Sequence, residues 1–124
     1  GSKPGNSGVL LRVQAPDTVW PKSIEAQLES RNAGDIWNIG EFPMNAEKSR
    51  TDGRHTAKAL PCNEKPIGEW NRYRIRLDGG DLELEVNGEV QNRAKWCDVV
   101  PGKIALQSEG AAIEFRNVVL RPIE

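Results

Sequence analysis

The chain has 124 residues, and its 17 Lys and Arg against 18 Asp and Glu leave a formal net charge of −1. That balance argues against a nucleic-acid grip built on basic excess and against a polybasic membrane anchor. With 37% hydrophobic and 28% charged residues, the composition predicts a thin, well-patterned core in one domain, residues 1–124.

No apolar run approaches the ~18 residues that a membrane-spanning segment needs. No basic-then-apolar leader opens the chain, so an export signal is expected to have been removed or never present. Twelve Gly and eight Pro punctuate the sequence. No long stretch has a helical period, but several alternate with period two. Val9-Leu10-Leu11-Arg12-Val13 puts Val9, Leu11 and Val13 on one face. Ser23 to Ser30 alternates more clearly, with Ile24, Ala26 and Leu28 against Glu25, Gln27 and Glu29. Residues 40–69 are polar, carry Pro43, Pro61 and Pro66, and lose the period; the expectation is a functional or flexible segment.

Arg72–Leu77 and Leu82–Val86 predict a hairpin through Asp78-Gly79-Gly80-Asp81, with Arg74, Arg76, Glu83 and Glu85 as cross-strand pairs on its outer face. Asn87-Gly88 is a second turn signal. Ile104–Gln107 and Ala112–Leu120 read as two more strands, the latter broken by a bulge near Arg116-Asn117. Together these segments predict an all-β antiparallel sandwich.

The chemistry concentrates in Glu25-x-Gln27-x-Glu29. On a strand, that spacing plants acid, amide and acid in a row opposite the core. Glycoside-cleaving enzymes use paired carboxyls, one to protonate the leaving oxygen and one as base or nucleophile. A solvated strand face gives the same pattern. Arg12, Gln107 with Glu109, and Glu114 with Arg116 would extend the row into a polar floor. Trp37 is a candidate platform for a sugar ring, whereas Trp70 suits an anchor at the start of a strand. His55 lies among Lys48, Arg50, Arg54 and Lys58. It is a candidate general base or substrate ligand on a lid, against the alternative of an exposed loop histidine. Cys62 and Cys97 could pair or remain separate thiols. They lack the spacing of a zinc site, and no phosphate loop, nucleophile elbow or calcium loop is present. No cofactor or metal is expected.

Ordered short motifs sharpen this reading. They are Asn6-Ser7-Gly8-Val9-Leu10-Leu11-Arg12, Glu25-x-Gln27-Leu28, Gly68-Glu69-Trp70-Asn71, Val86-Asn87-Gly88, Gly102-Lys103-Ile104-Ala105-Leu106-Gln107 and Phe115-Arg116-Asn117-Val118. The set resembles the 3-keto-disaccharide hydrolase domain family. The resemblance implies a concanavalin A-like jelly roll, bacterial export to the periplasm or exterior, and action on glycosides oxidised at C3. Carried over by position, it implies Arg12, Glu25, Gln27, Asn71, Gln107 and Arg116 as site residues, with Glu109 and Glu114 beside them. Relatives carry a strand upstream of the Asn-Ser-Gly run. Lacking that N-terminal strand would leave an open edge through which the chain could form oligomers. Relatives also often carry His where this chain has Glu109.

The leading expectation is therefore an exported glycoside-cleaving domain with Glu25, Glu109 and His55 as catalytic groups and a carbohydrate as its partner. The alternatives are a lectin-like module that binds without turnover, and an interaction domain that recruits a partner through its edge.

Overall fold

The computed structural model describes residues 5–123. Ten strands form, all pairing antiparallel: β1 (Asn6–Val13), β2 (Ser23–Gln27), β3 (Ile36–Ile39), β4 (Asn45–Ala46), β5 (Thr51–Asp52), β6 (His55–Thr56), β7 (Tyr73–Asp78), β8 (Asp81–Val86), β9 (Glu89–Lys95) and β10 (Lys103–Glu109). They make a six-stranded sheet, β10-β1-β2-β3-β6-β5, and a four-stranded sheet, β4-β9-β8-β7. Leu11, Ile24, Ala26 and Ile36 from the first sheet meet Leu82, Leu84 and Ala94 from the second, with Phe42 and Cys97 filling the gap. This is a β-sandwich of the jelly-roll type, as the period-two reading requires. No described helix is long and apolar enough to cross a membrane.

The β7–β8 hairpin has the expected register, from Tyr73 opposite Val86 to Asp78 opposite Asp81. On its outer face Arg74 lies 3.6 Å from Glu85. Arg76 sits opposite Glu83 but turns to Asp78 at 3.5 Å, leaving Glu83 to Arg93 at 3.4 Å. Asn87 and Gly88 both have positive φ (48° and 88°), the backbone that a tight β8–β9 turn needs.

Two bulges redirect side chains that strict alternation would have placed elsewhere. In β1 the register slips between Leu10 and Val13, so Leu10 and Leu11 are both buried and Arg12 takes φ 49°. Gly102 permits the close approach there, since a Cβ on it would lie 2.4 Å from the Arg12 carbonyl carbon. In β9 the slip falls opposite Leu84 and Glu85, and Gln91 and Asn92 both point inward. Asn92 Nδ2 donates to the carbonyls of Gly34 (3.1 Å), Thr56 (3.2 Å) and Ala57 (3.3 Å). Arg50 donates to its Oδ1 at 3.1 Å. A buried amide satisfied this fully ties the smaller sheet to loops of the larger one.

Three expectations are corrected. Ala112–Leu120 forms no strand. Val118, Val119 and Leu120 are exposed, and Asn117 has φ 53° where a bulge was expected. Its alternation therefore finds no partner strand among the described residues. Residues 40–69 are not structureless, because β4, a 3-10 turn at Lys48–Arg50 and the β5–β6 hairpin lie within them. Trp70 anchors no core: it is exposed, with the Arg116 guanidinium 4.0 Å above its ring. The cysteines are separate thiols, Cys62 exposed and Cys97 buried. The smaller sheet leaves one flank thinly covered. Leu106 pairs with core-facing Val9, yet Ile104 and Leu106 are 50% and 48% exposed.

Candidate functional site

On β1 the core-facing residues are Val9 and Leu11, so Gly8 turns to the other face of its sheet. Gly8 pairs with Gln27 of β2 on one side and Gln107 of β10 on the other. Glu25 and Gln107 lean over it. A Cβ at position 8 would sit 3.0 Å from Glu25 Cγ, 3.1 Å from Glu25 Oε2 and 3.1 Å from Gln107 Oε1. A hydrogen in place of a side chain thus lets two distant polar groups converge.

Glu25 is only 4% exposed. Its carboxyl has no hydrogen-bond partner among the described residues. Burial first, then the nearby charges of Glu109 and Glu29, push its pKa from 4.5 to about 7. The neighbouring amides spend hydrogens on the other acids. Gln107 Nε2 and Asn6 Nδ2 donate to the same Glu109 oxygen at 2.9 and 3.0 Å. Gln27 Nε2 donates to Glu29 at 3.1 Å. The oxygens of Gln107 and Asn6 are buried and accept nothing from the described residues. The wall is therefore rich in unpaired acceptors.

The same face carries a second group of residues. Trp37 on β3 is the register partner of Glu25, and His55 on β6 is the register partner of Trp37. Strand spacing of ~4.8 Å puts the Glu25 and His55 backbones about 10 Å apart, one strand between them. The Trp37 and His55 rings stack at 4.6 Å and 12°. Trp37 Nε1 donates to Gln27 Oε1 at 2.7 Å, so the indole clamps both neighbours. Asp35, 2% exposed, accepts from His55 Nε2 at 2.6 Å and from the Lys58 backbone N–H at 2.9 Å. With Nε2–H committed to a carboxylate, the neutral tautomer of His55 carries its lone pair on Nδ1. The imidazole is half-exposed.

Other expected site residues go elsewhere. Arg12 is turned away by the bulge, and its guanidinium donates to the carbonyls of Asp98 (2.7 Å) and Gly79 (2.6 Å). Asn71 organises a loop: its Oδ1 accepts from the Lys65 N–H and from Asn87 Nδ2, both at 2.8 Å. Glu114 and Arg116 lie exposed in the irregular C-terminal segment. His55 sits on a short strand, not a lid. Trp37 has one ring face covered by imidazole, so its clearest task is to hold His55. Sequence reasoning missed Asp35, whose one visible signal is its place two residues before Trp37.

Two adjoining hollows, about 330 and 210 Å³, share Asn38, Met44, Gly53 and Arg54. Ile36, Asn38 and Thr56 in their lining alternate with Trp37 and His55 along β3 and β6, so they open on the opposite side of the sheet. They carry no carboxylate–histidine pairing. Among the described residues no three His, Cys, Asp or Glu side chains gather as metal ligands.

No curated protein and no solved structure matches the chain. Residues 2–121 match the family model of the 3-keto-alpha-glucoside-1,2-lyase-like domain. The match spans both sheets and every residue of the wall around Gly8, and the chain belongs to this family.

Proposed function

We propose that the protein cleaves glycosides oxidised at C3, with Glu25 as general acid and His55 as general base. A ketone at C3 acidifies the hydrogen on C2. His55 Nδ1, oriented by Asp35, takes that proton. The electron pair of the C2–H bond forms a C1–C2 double bond, and the bond from C1 to the glycosidic oxygen breaks. Glu25, with a pKa raised to about 7 and so protonated in a large fraction of molecules near neutrality, delivers its proton to the departing oxygen. The products are a free alcohol and an unsaturated keto-sugar. Water adding at C1 of the latter completes a net hydrolysis. Glu109 and Glu29 support Glu25 by keeping it protonated, so Glu109 acts through Glu25 rather than directly. We also take the enzyme to act outside the cytoplasm, the setting that the family resemblance implies.

The observation carrying this reading is the presence, on one sheet face, of a buried carboxyl without a partner and of a histidine held by a buried aspartate. The test is release of alcohol from a 3-keto-glucoside, compared with the same substrate deuterated at C2. A primary isotope effect, and loss of at least about a hundredfold in rate in Glu25→Gln and in His55→Gln, are expected. Turnover that ignores both substitutions refutes the assignment. Sugar binding without turnover reduces the domain to a binding module.

A further inference from the structure

We propose that the wall around Gly8 selects its ligand by charge: it accepts neutral or amino-substituted sugars and rejects sugars that carry a carboxylate. The proposal rests on reading this face as a sugar site and names the substrate class within it.

Hydrogen-bond polarity carries the first half of the argument. Beside Glu25, the Gln107 and Asn6 oxygens are buried and accept nothing from the described residues. The amide nitrogens of Asn6, Gln107 and Gln27 already point at carboxylates, and the Trp37 N–H is held by Gln27. A ligand that supplies donors, whether hydroxyl or ammonium, completes these groups. A carboxylate, which only accepts, leaves them unpaired.

Charge carries the second half. Glu109 and Glu29 each lie close enough to Glu25 to act on its charge. Three cations of the sandwich are engaged elsewhere. Arg12 grips carbonyls at the β7–β8 turn and at Asp98. Arg50 is tied to Asn92 and the Ala57 carbonyl. Lys58 Nζ lies 3.8 Å from Asp35, the carboxylate that also holds His55. One sugar ring is smaller than the ~8–10 Å screening length at ordinary ionic strength. A charge anywhere on that ring therefore feels the wall, whichever way the ring lies.

The test uses three methyl 3-keto-glucosides that differ only at C6: hydroxymethyl, aminomethyl and carboxylate. Binding by calorimetry and turnover are measured at low ionic strength, again in 0.5 M salt (about a 4 Å screening length), and with Glu109→Gln. The neutral and amino compounds are expected to bind at least about tenfold more tightly than the carboxylate. That gap should narrow severalfold in salt and in Glu109→Gln. The salt series stands on the unmodified protein, so it decides the matter even where the variant fails to fold. Carboxylate binding within about twofold of neutral, or a gap indifferent to salt, overturns the charge proposal. If none of the three binds or reacts, the sugar reading falls, and this proposal with it.

Discussion

Replacing Glu25 by Gln should remove the chemistry and, above neutral pH, strengthen the fold. Glu25 titrates at about 7 in the folded chain and near 4.5 when free in solvent. Between those values the folded state holds a proton that the unfolded state has lost. Stability therefore falls as pH rises through this window and stays reduced above it. At about 1.4 kcal/mol per pH unit, the cost is capped at about 3.5 kcal/mol. Discounting for residual solvent screening brings this to about 2 kcal/mol. Glutamine keeps the shape and carries no charge, so Glu25→Gln should match the parent at pH 4. At pH 8 it should exceed the parent by about 2 kcal/mol, or roughly 1 M in urea midpoint. Urea unfolding of both proteins across pH 4 to 8 reads this, because the titrations of groups not coupled to Glu25 cancel in the difference. Parallel curves, or a variant less stable at pH 8, would refute a buried, unpaired charge at this position.

Gly8→Ala should lower turnover at least about tenfold while costing about 1–3 kcal/mol, since the new methyl meets Glu25 and Gln107 at 3.0–3.1 Å; full activity would show that the two side chains need not converge. Asp35→Asn should lower kcat by about a hundredfold or more with KM little changed and the pH–rate profile displaced, because His55 would lose the acceptor that fixes its tautomer; an unchanged profile would leave Asp35 a merely structural role. Leu84→Ala, at a fully buried site, should cost about 2–5 kcal/mol, whereas Leu106→Ala should cost under about 1 kcal/mol. Comparable losses in chemical denaturation would mean that Leu106 is covered in solution.

The elements legible in the sequence were those with a period-two pattern: β2, β7, β8 and β10 and the first half of β1, before its bulge. β9 escaped because its bulge turns Gln91 and Asn92 inward together, and two consecutive buried amides have no period. β3, β5 and β6 are too short to show one. The opposite error arose at Ala112–Leu120, where alternation is present but pairing is not. Glu25 with Gln107 could be anticipated from strand parity alone. Arg12 could not be rejected that way, because the bulge that redirects it is set by contact with Gly102. Asp35 was invisible for a related reason: its partner His55 reaches it only across the β3–β6 pairing.

Asn92 gives the sandwich an unusual dependency. The carboxylate–imidazole pair sits on the outside of one sheet, yet the carbonyls of Gly34, just before the aspartate, and Thr56, just after the histidine, are gripped from the opposite layer. The spacing between the layers thereby becomes a variable of the chemistry. Breathing that slides one layer by a fraction of a hydrogen-bond length would unsettle the proton-transfer pair while both layers stay folded. Warming should silence the proposed activity before the fold melts.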